Sequence, residues 1–236
     1  MSLSEPPEAA QSNQLLAALP SEVFLLLSPY LERIVLNFNE VICEARESMT
    51  YVYFPVNSVI SLLATTDNET TTEVAVVGYE GMVGLSAFLG VNTELFKGIV
   101  QIAGEAIRIR TDIFKVAVEL PPLHNLLLRH TSTILQQVSQ SAFCNYHHSV
   151  EKRCCRLLLM LHDCARSDNL PLTQDYLSKI LSVRRASVNE VTSKLQKEGF
   201  IAYSYGQIRI QNREGLEQTA CECYKIIKNH RDRLLD

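Results

Sequence analysis

The sequence predicts an α+β protein: an antiparallel β-roll, one long helix, and a C-terminal winged helix-turn-helix. Three observations carry this. Between Ile34 and Arg110, short runs rich in Val, Ile, Thr and aromatics alternate with turn residues, the mark of many short strands. From about Pro122 to Tyr146 a helical pattern follows, and Thr131 through Ser149 holds no Asp, Glu, Lys or Arg. Beyond it, two short amphipathic helices flank a tight turn, and an alternating hairpin comes next.

Composition bounds the reading. The chain has 236 residues, 47% hydrophobic and 20% charged, enough to bury a sizeable core in one large or two small domains. No apolar run approaches the roughly 18–20 residues that span a bilayer, so no membrane partner is expected. The opening MSLSEPPEAAQSNQ is acidic and polar and does not read as a signal peptide, which leads us to expect a cytoplasmic protein. Seven cysteines, at 43, 144, 154, 155, 164, 221 and 223, form an odd, irregular set without C-x-x-C. That argues against a disulfide framework or zinc ribbon and for reduced, partly buried thiols. The net charge of −4 is split: residues 1–150 carry seven basic and fifteen acidic residues, and residues 151–236 carry fifteen basic and eleven acidic. A locally basic C-terminal third is suited to meeting a polyanion.

The elements follow in order. In segment 1–33, NQLLAALPSEVFLLLSPYLER reads as two short amphipathic helices broken at Pro20 and Pro29. Segment 34–120 is the roll, with SVISLLA as an inner strand. Thr111 or Asp112 then caps a short helix that Pro121 and Pro122 stop. Segment 121–148 is the long helix and hinge. Leu127, Ile134, Val138 and Ala142 fall on one face, with Leu128 and Leu135 on a neighbouring stripe. Two apolar stripes call for contacts on two sides, the roll and a second copy's parallel helix, with the first four residues as the dimer seam. The competing reading is a helix buried wholly within its own chain. YHHS reads as the hinge.

In segment 149–236, Ser149 caps a new helix with Glu151 in its first turn. Thr173 caps a helix with Tyr176, Leu177, Ile180 and Leu181 on its apolar face. After a turn at Ser182-Val183, a second helix runs from Arg184 to about Lys197, with Val188, Val191 and Leu195 inward. Arg184, Arg185, Ser187, Asn189, Thr192 and Ser193 then face out, a small polar surface that can lie against base edges of double-stranded DNA. Gly199 ends the helix, and FIAYSYGQIRIQ reads as a hairpin turning at Tyr205-Gly206.

From about Leu19 to Ile210, and most closely over LTQDYLSKILSVRRASVNEVTSKLQKEGFI, the chain resembles the Crp/Fnr superfamily of transcription regulators. VGYEGMVGLSAFLG and GLEQTACECY resemble a subgroup of it. The resemblance implies a cyclic-nucleotide-binding-like roll and a homodimer on a pseudo-palindromic operator, with RNA polymerase as a partner. It places Arg185 on a guanine and Ser187 on the DNA backbone. Ala186 and Glu190 stand where cyclic-AMP-responsive members carry a glutamate and a second arginine. Ser182 replaces the usual turn glycine. Thr173, Arg184, Arg185, Ser187, Asn189 and Glu190 form the expected DNA-binding set.

The resemblance also marks a loss. The family's nucleotide pocket uses a glutamate after a glycine for the ribose and an Arg-Ser pair for the phosphate, because a buried phosphate needs charge-assisted partners. Here Leu85 follows Gly84, and Phe96-Lys97 stand where Arg-Ser should lie. These four residues mark an effector pocket, for an effector other than cyclic AMP. No cofactor is expected. The iron-sulfur members' N-terminal cysteine cluster is missing, since no cysteine precedes Cys43. Cys43 or His124 as a haem ligand is outweighed by simple packing. Cys221 and Cys223, two apart on a helix, do not share a face and read as structural rather than as metal ligands. His147 and His148 read as partly exposed linker residues over a pH- or metal-sensing pair. No nucleophile elbow, P-loop or H-E-x-x-H occurs, so no catalytic residue is expected. The rival is a ligand- or protein-binding adaptor whose winged helix contacts protein.

Overall fold

A computed structural model of the protein describes residues 12–68 and 70–233. Residues 1–11 of the expected N-terminal helical segment lie outside the described residues. Helices α1 (Gln14–Ala17) and α2 (Ser21–Leu27) precede a short 3-10 turn. The buried Asn13 starts α1: its Oδ1 accepts from the amides of Leu15 and Leu16, while its Nδ2 donates to the carbonyls of Pro55 and Gly81. One asparagine thereby caps a helix and ties it to two roll loops.

Seven strands form the roll: β1 (Glu32–Leu36), β2 (Val41–Cys43), β3 (Tyr51–Pro55), β4 (Val59–Thr65), β5 (Thr71–Val77), β6 (Lys97–Ile102) and β7 (Gly104–Arg110), with a single-turn helix α3 (Leu85–Phe88) before β6. They pair in two antiparallel sheets, β1-β7-β3 and β2-β6-β4-β5. Alternation assigns the faces. Leu36, Tyr53 and Ala106 meet Ile60, Leu62, Val77 and Val100 between the sheets. On the outer face of the first sheet, Val52, Phe54, Ile107 and Ile109 pack under α1, α2 and the short helix α4 (Thr111–Ala117). Helix α4 opens on Arg110 without a side-chain cap, rather than on a Thr111 or Asp112 cap; Asp112 instead pairs with Arg110.

Helix α5 (Pro121–His147) runs along the roll. Leu123, Leu127, Ile134 and Cys144 are buried, and Gln137 Oε1 accepts from the Val76 amide at 3.0 Å. This corrects the expected seam. Leu127 (0% exposed) and Ile134 (8%) belong to the chain's own core, Val138 packs partly against that core, and only Ala142 of the four is exposed. The neighbouring stripe is the open one, with Leu128 51% and Leu135 65% exposed. The stripe that packs on the roll is the one carrying Leu123, Leu127 and Ile134, and the sequence pattern does not decide which of two stripes a residue apart turns inward.

After a two-residue break at His148-Ser149, α6 (Val150–Ala165) forms the spine of the C-terminal unit, with Ser149 Oγ accepting from the Lys152 amide. The unit adds β8 (Asn169–Leu170), α7 (Gln174–Ile180), α8 (Arg185–Lys197), β9 (Ile201–Ser204), β10 (Gln207–Ile210), α9 (Arg213–Thr219) and α10 (Cys223–Asp232). The hairpin turns at Tyr205-Gly206, both at positive φ, and joins β8 in a sheet ordered β8-β10-β9. One core spans α6 to α8, β10 and α10, and it continues into Val59, Val76 and Ile102 on the outer face of the second roll sheet. The C-terminal unit is therefore packed against the roll.

Candidate nucleic-acid interface and signal sites

Thr173 Oγ1 accepts from the Tyr176 amide at 3.1 Å and opens α7, whose Leu177 and Ile180 enter the core. The turn to α8 runs through Ser182 at φ 52, a left-handed conformation that glycine takes more readily. Val188, Val191 and Leu195 anchor α8. Arg184, Arg185, Asn189 and Glu190 are exposed, Ser187 is half-buried, and Asn189 Oδ1 accepts from Gln174 Nε2 at 3.0 Å. Two details differ from the sequence reading. Arg184 is the cap residue and the helix begins at Arg185. Thr192 does not face out: it is buried, with Oγ1 donating to the Val188 carbonyl at 2.9 Å. Among the described residues neither arginine is held in a salt bridge, so both guanidiniums keep their full donor sets.

One end of this surface faces the roll. The Thr72 and Ser182 hydroxyls lie 2.7 Å apart, and Thr70, Thr71, Arg184 and Ser187 line a cleft around them. Nearby, Tyr176 stands 5.8 Å from Phe38, centroid to centroid. It also neighbours Glu73, which accepts from Ser61 Oγ at 2.6 Å. Burial pushes the Glu73 carboxyl up to about 7, against the pull of Ser61 and Arg156. A loop after β5 makes the second tie between roll and C-terminal unit. Cys164 Sγ of α6 donates to Glu80 Oε1 at 3.3 Å, and the Arg166 guanidinium lies 3.3 Å over the Tyr79 ring. His130 of α5 reaches the Met82 carbonyl at 3.0 Å, and burial holds its imidazole down at about 4.

The expected effector pocket is closed. Gly84, Leu85 and Phe96 line a cavity of about 30 Å³ together with Leu62, Met82 and Ile134. Gly84 sits at φ 110 with Val52 3.0 Å from where a Cβ would lie. Lys97, the fourth residue of the set, is not in it: its ammonium points to Glu44 at 2.8 Å on the outside of the roll. Cys43 packs between the sheets with its thiol pushed up to about 12 by burial, and His124 lies against Phe88, so neither reads as a haem ligand.

A cluster that sequence spacing did not reveal lies at the hinge. Cys144 at the end of α5, His148 in the break, Cys221 and Cys223 bring their Sγ and imidazole nitrogen atoms within 4.8 Å of one another. Cys144 and Cys221 Sγ are 3.4 Å apart, and Cys223 Sγ is 3.5 Å from His148 Nδ1. Cys221 and Cys223 are not two apart on one helix: Cys221 lies ahead of α10 and Cys223 is its first residue, and both thiols reach one point. His148 is partly buried, its side chain 11% exposed. Its Nε2 meets Glu222 Oε1 at 3.4 Å, and Gln140 Nε2 donates to Cys223 Sγ at 3.1 Å. The hydrogen bond from Cys221 and the positive charge of Arg156 hold the Cys144 thiol well below the ordinary thiol range, and Cys221 is raised in turn. The signal for this cluster is tertiary: α10 packs back along α5, with His230 Nε2 3.1 Å from Ser132 Oγ.

Residues 152–219 match the Crp-like helix-turn-helix domain. In fold, the chain is similar to FixK2 from Bradyrhizobium japonicum, with a TM-score of 0.68 at 15% identity over 81% of this chain and 98% of that one. It is similar to a Crp/Fnr-family regulator from Eubacterium rectale, with a TM-score of 0.67 at 18% identity over 89% and 98%. A CRP-family regulator from Thermus thermophilus gives 0.66 at 17% identity over 80% and 96%. No curated protein matches the chain in sequence. Among the described residues no helix is long and apolar enough to cross a membrane.

Proposed function

We propose that this chain, a Crp-like helix-turn-helix domain on the frame shared by Crp/Fnr regulators, is a DNA-binding transcription regulator. In this reading it works as a homodimer on a pseudo-palindromic operator, and it answers to a signal other than a cyclic nucleotide. The observation that carries the reading is the outer face of α8. Its two exposed arginines stand at the helix start, and small polar side chains follow over the next turn, a surface that fits the major groove. Arg185, one residue into the helix, reads a guanine; Arg184, at the cap, neutralises phosphate; Ser187 positions the helix on the backbone; Asn189 and Glu190 face neighbouring base edges. Thr173 sets the angle of α7 across the backbone. RNA polymerase is the partner such a regulator addresses.

The dimer forms along the open side of α5. Leu128, Ser132, Leu135, Ser139, Ala142 and Tyr146 are all exposed and follow one another at alternating steps of four and three, with Ser132 at the border, where it also meets His230 of α10. That is the seam of a parallel coiled coil. Control passes through the contacts of the roll with α6, α7 and the start of α8, because DNA must share the cleft at Ser182 with the β4–β5 hairpin.

Binding-site selection followed by salt titration tests the reading. Arg185→Ala should cost about 1–3 kcal/mol and relax preference at one base pair of each half-site. Arg184→Ala should weaken all sequences alike and lower the salt slope by about one per contact. If neither substitution changes DNA binding, the regulator reading fails.

A further inference from the structure

We infer that Cys144, His148, Cys221 and Cys223 form a closed, tetrahedral binding site for one zinc(II) ion that pins the hinge between the long helix and the DNA-reading unit. Four protein donors of the right kind converge from three separate segments: the end of α5, the hinge and the α9–α10 junction. A tetrahedral zinc with Zn–S near 2.3 Å and Zn–N near 2.0 Å separates its donors by roughly 3.5–3.8 Å. The observed 3.4 Å between Cys144 and Cys221 and 3.5 Å between Cys223 and His148 Nδ1 lie close to that spacing. Three thiolates and an imidazole select zinc over the hard cations, and a full set of protein donors leaves no open coordination position, the pattern of a structural site.

The surroundings fit an occupied site independently of the donors. A metal-bound histidine nitrogen is usually oriented by a carboxylate on the other ring nitrogen. His148 presents Nδ1 to the thiols and Nε2 to Glu222 at 3.4 Å. The Gln140 amide donates to Cys223 Sγ at 3.1 Å, as amides do to metal-bound thiolates. Charge closes as well. Three thiolates and one zinc(II) leave one negative charge, with the thiol protons lost to solvent as the ion binds. Arg153 and Arg156 are both buried beside the cluster, and neither has a salt-bridge partner among the described residues. Their Nε atoms lack any hydrogen-bond partner. Arg153 donates to the Leu181 carbonyl and Arg156 to Ser141 Oγ, both neutral acceptors, so an anionic metal centre beside them would offset part of the cost of burying their charge.

Placed here, the ion would fix the angle at which α6 leaves α5. In a dimer that angle sets the separation of the two recognition helices, so metal loading becomes a condition for fitting the operator spacing. The site itself does not depend on the DNA reading, because it is read by metal alone.

The test uses the full chain, reduced and held without oxygen, stripped of metal and titrated with cobalt(II). One equivalent per chain should give the intense visible bands of tetrahedral cobalt and the charge-transfer band of cobalt–thiolate bonds, both bleached by zinc(II). Cys144→Ser and Cys223→Ser should lose that spectrum, whereas Cys155→Ser, in the core of α6, should keep it. His148→Cys should retain tetrahedral cobalt with the shifted spectrum of a four-thiolate site, a readout that loss of folding cannot imitate. Glu222→Gln, on an exposed side chain, should weaken binding by about tenfold or more. Overturning results are a folded wild-type chain that takes up no tetrahedral cobalt, or a spectrum that survives in both serine variants. A Cys144–Cys221 disulfide formed in air by a chain that takes no cobalt when reduced would replace the metal site with a thiol pair.

Discussion

At its middle, α5 presents Ile134 to a cavity of about 30 Å³ walled by Leu85, Phe96 and Met82. About 15 Å further along its axis it presents Cys144 to two more thiols and an imidazole. The first place has the position of a ligand pocket without the volume; the second has a full set of donors within 4.8 Å of one another. Small organic ligands need roughly 300 Å³ or more of concave space, whereas an ion needs only converging lone pairs. The same helix also has two unlike sides: Leu127 and Ile134 are locked into the roll, while Leu128 and Leu135 face solvent. Neither apolar content nor position along the chain assigns a role here. What assigns it is the set of atoms converging on each point.

The largest expected effect separates the two sides of α5. Leu127→Ala should destabilise the chain by about 2–5 kcal/mol, the cost of emptying a fully enclosed leucine site. Leu128→Ala, one residue on, should change the monomer's stability by less than about 0.5 kcal/mol. It should instead move the dimer dissociation constant upward in sedimentation. Urea midpoints of the pair check the first half. Equal destabilisation by both variants would mean that the two stripes are not distinct.

A smaller effect probes the seam between the roll and the C-terminal unit. Folded Glu73 holds its proton up to about pH 7, while its unfolded reference releases it near 4.5. Between those values the folded state binds more protons, so the stability tied to this group is complete below 4.5 and is lost as pH rises through 7. The loss is on the order of 3 kcal/mol. Glu73→Gln should flatten the stability-against-pH curve over that window and raise stability above it. Parallel curves for variant and wild type would show that Glu73 ionises as freely in the folded state as in the unfolded chain.

These two cases also show what was legible in the sequence. The roll, long helix and helix-turn-helix follow from local patterns: alternation in the strands, Ser149 and Thr173 as caps, and Val188, Val191 and Leu195 at helical spacing. That Gly84, Leu85 and Phe96 share one pocket wall was legible too, because the resemblance places them together; Lys97, taken with them, turns outward. What was not legible depends on which surfaces meet. Leu127 and Leu128 are equal as sequence, and only the packing of α5 on the roll chooses between them. Thr192 looked outward until its hydroxyl found the Val188 carbonyl. Cys221 and Cys223 looked ill-placed because a helix was drawn through both. In the fold α10 begins only at Cys223, with Cys221 just ahead of it, and α10 returns along α5 to Cys144, 77 residues from Cys221 in sequence.

The smallest expected effect is none at all, and it tests the roll's side of the comparison. A cyclic nucleotide bound with a micromolar dissociation constant and supplied at a hundredfold excess over that constant would stabilise the folded chain by about 2.7 kcal/mol. For a chain of this size that raises the midpoint of thermal unfolding by roughly 5–10 °C, well within reach of a melting scan. We expect no shift with cyclic AMP or cyclic GMP. Opening the cavity would mean moving Phe96 and Ile134 out of contact with the inner sheets. The phosphate would then face Phe96, since Lys97 is turned outward to Glu44. Leu85, in turn, offers the ribose hydroxyls no acceptor, and the Glu94 carboxyl in the same wall is already engaged by the Ser86 hydroxyl at 3.1 Å. A stabilising shift with either nucleotide that is abolished by Leu85→Trp, which fills the remaining space, would show that the pocket opens on demand. The signal would then have to be sought in the roll after all.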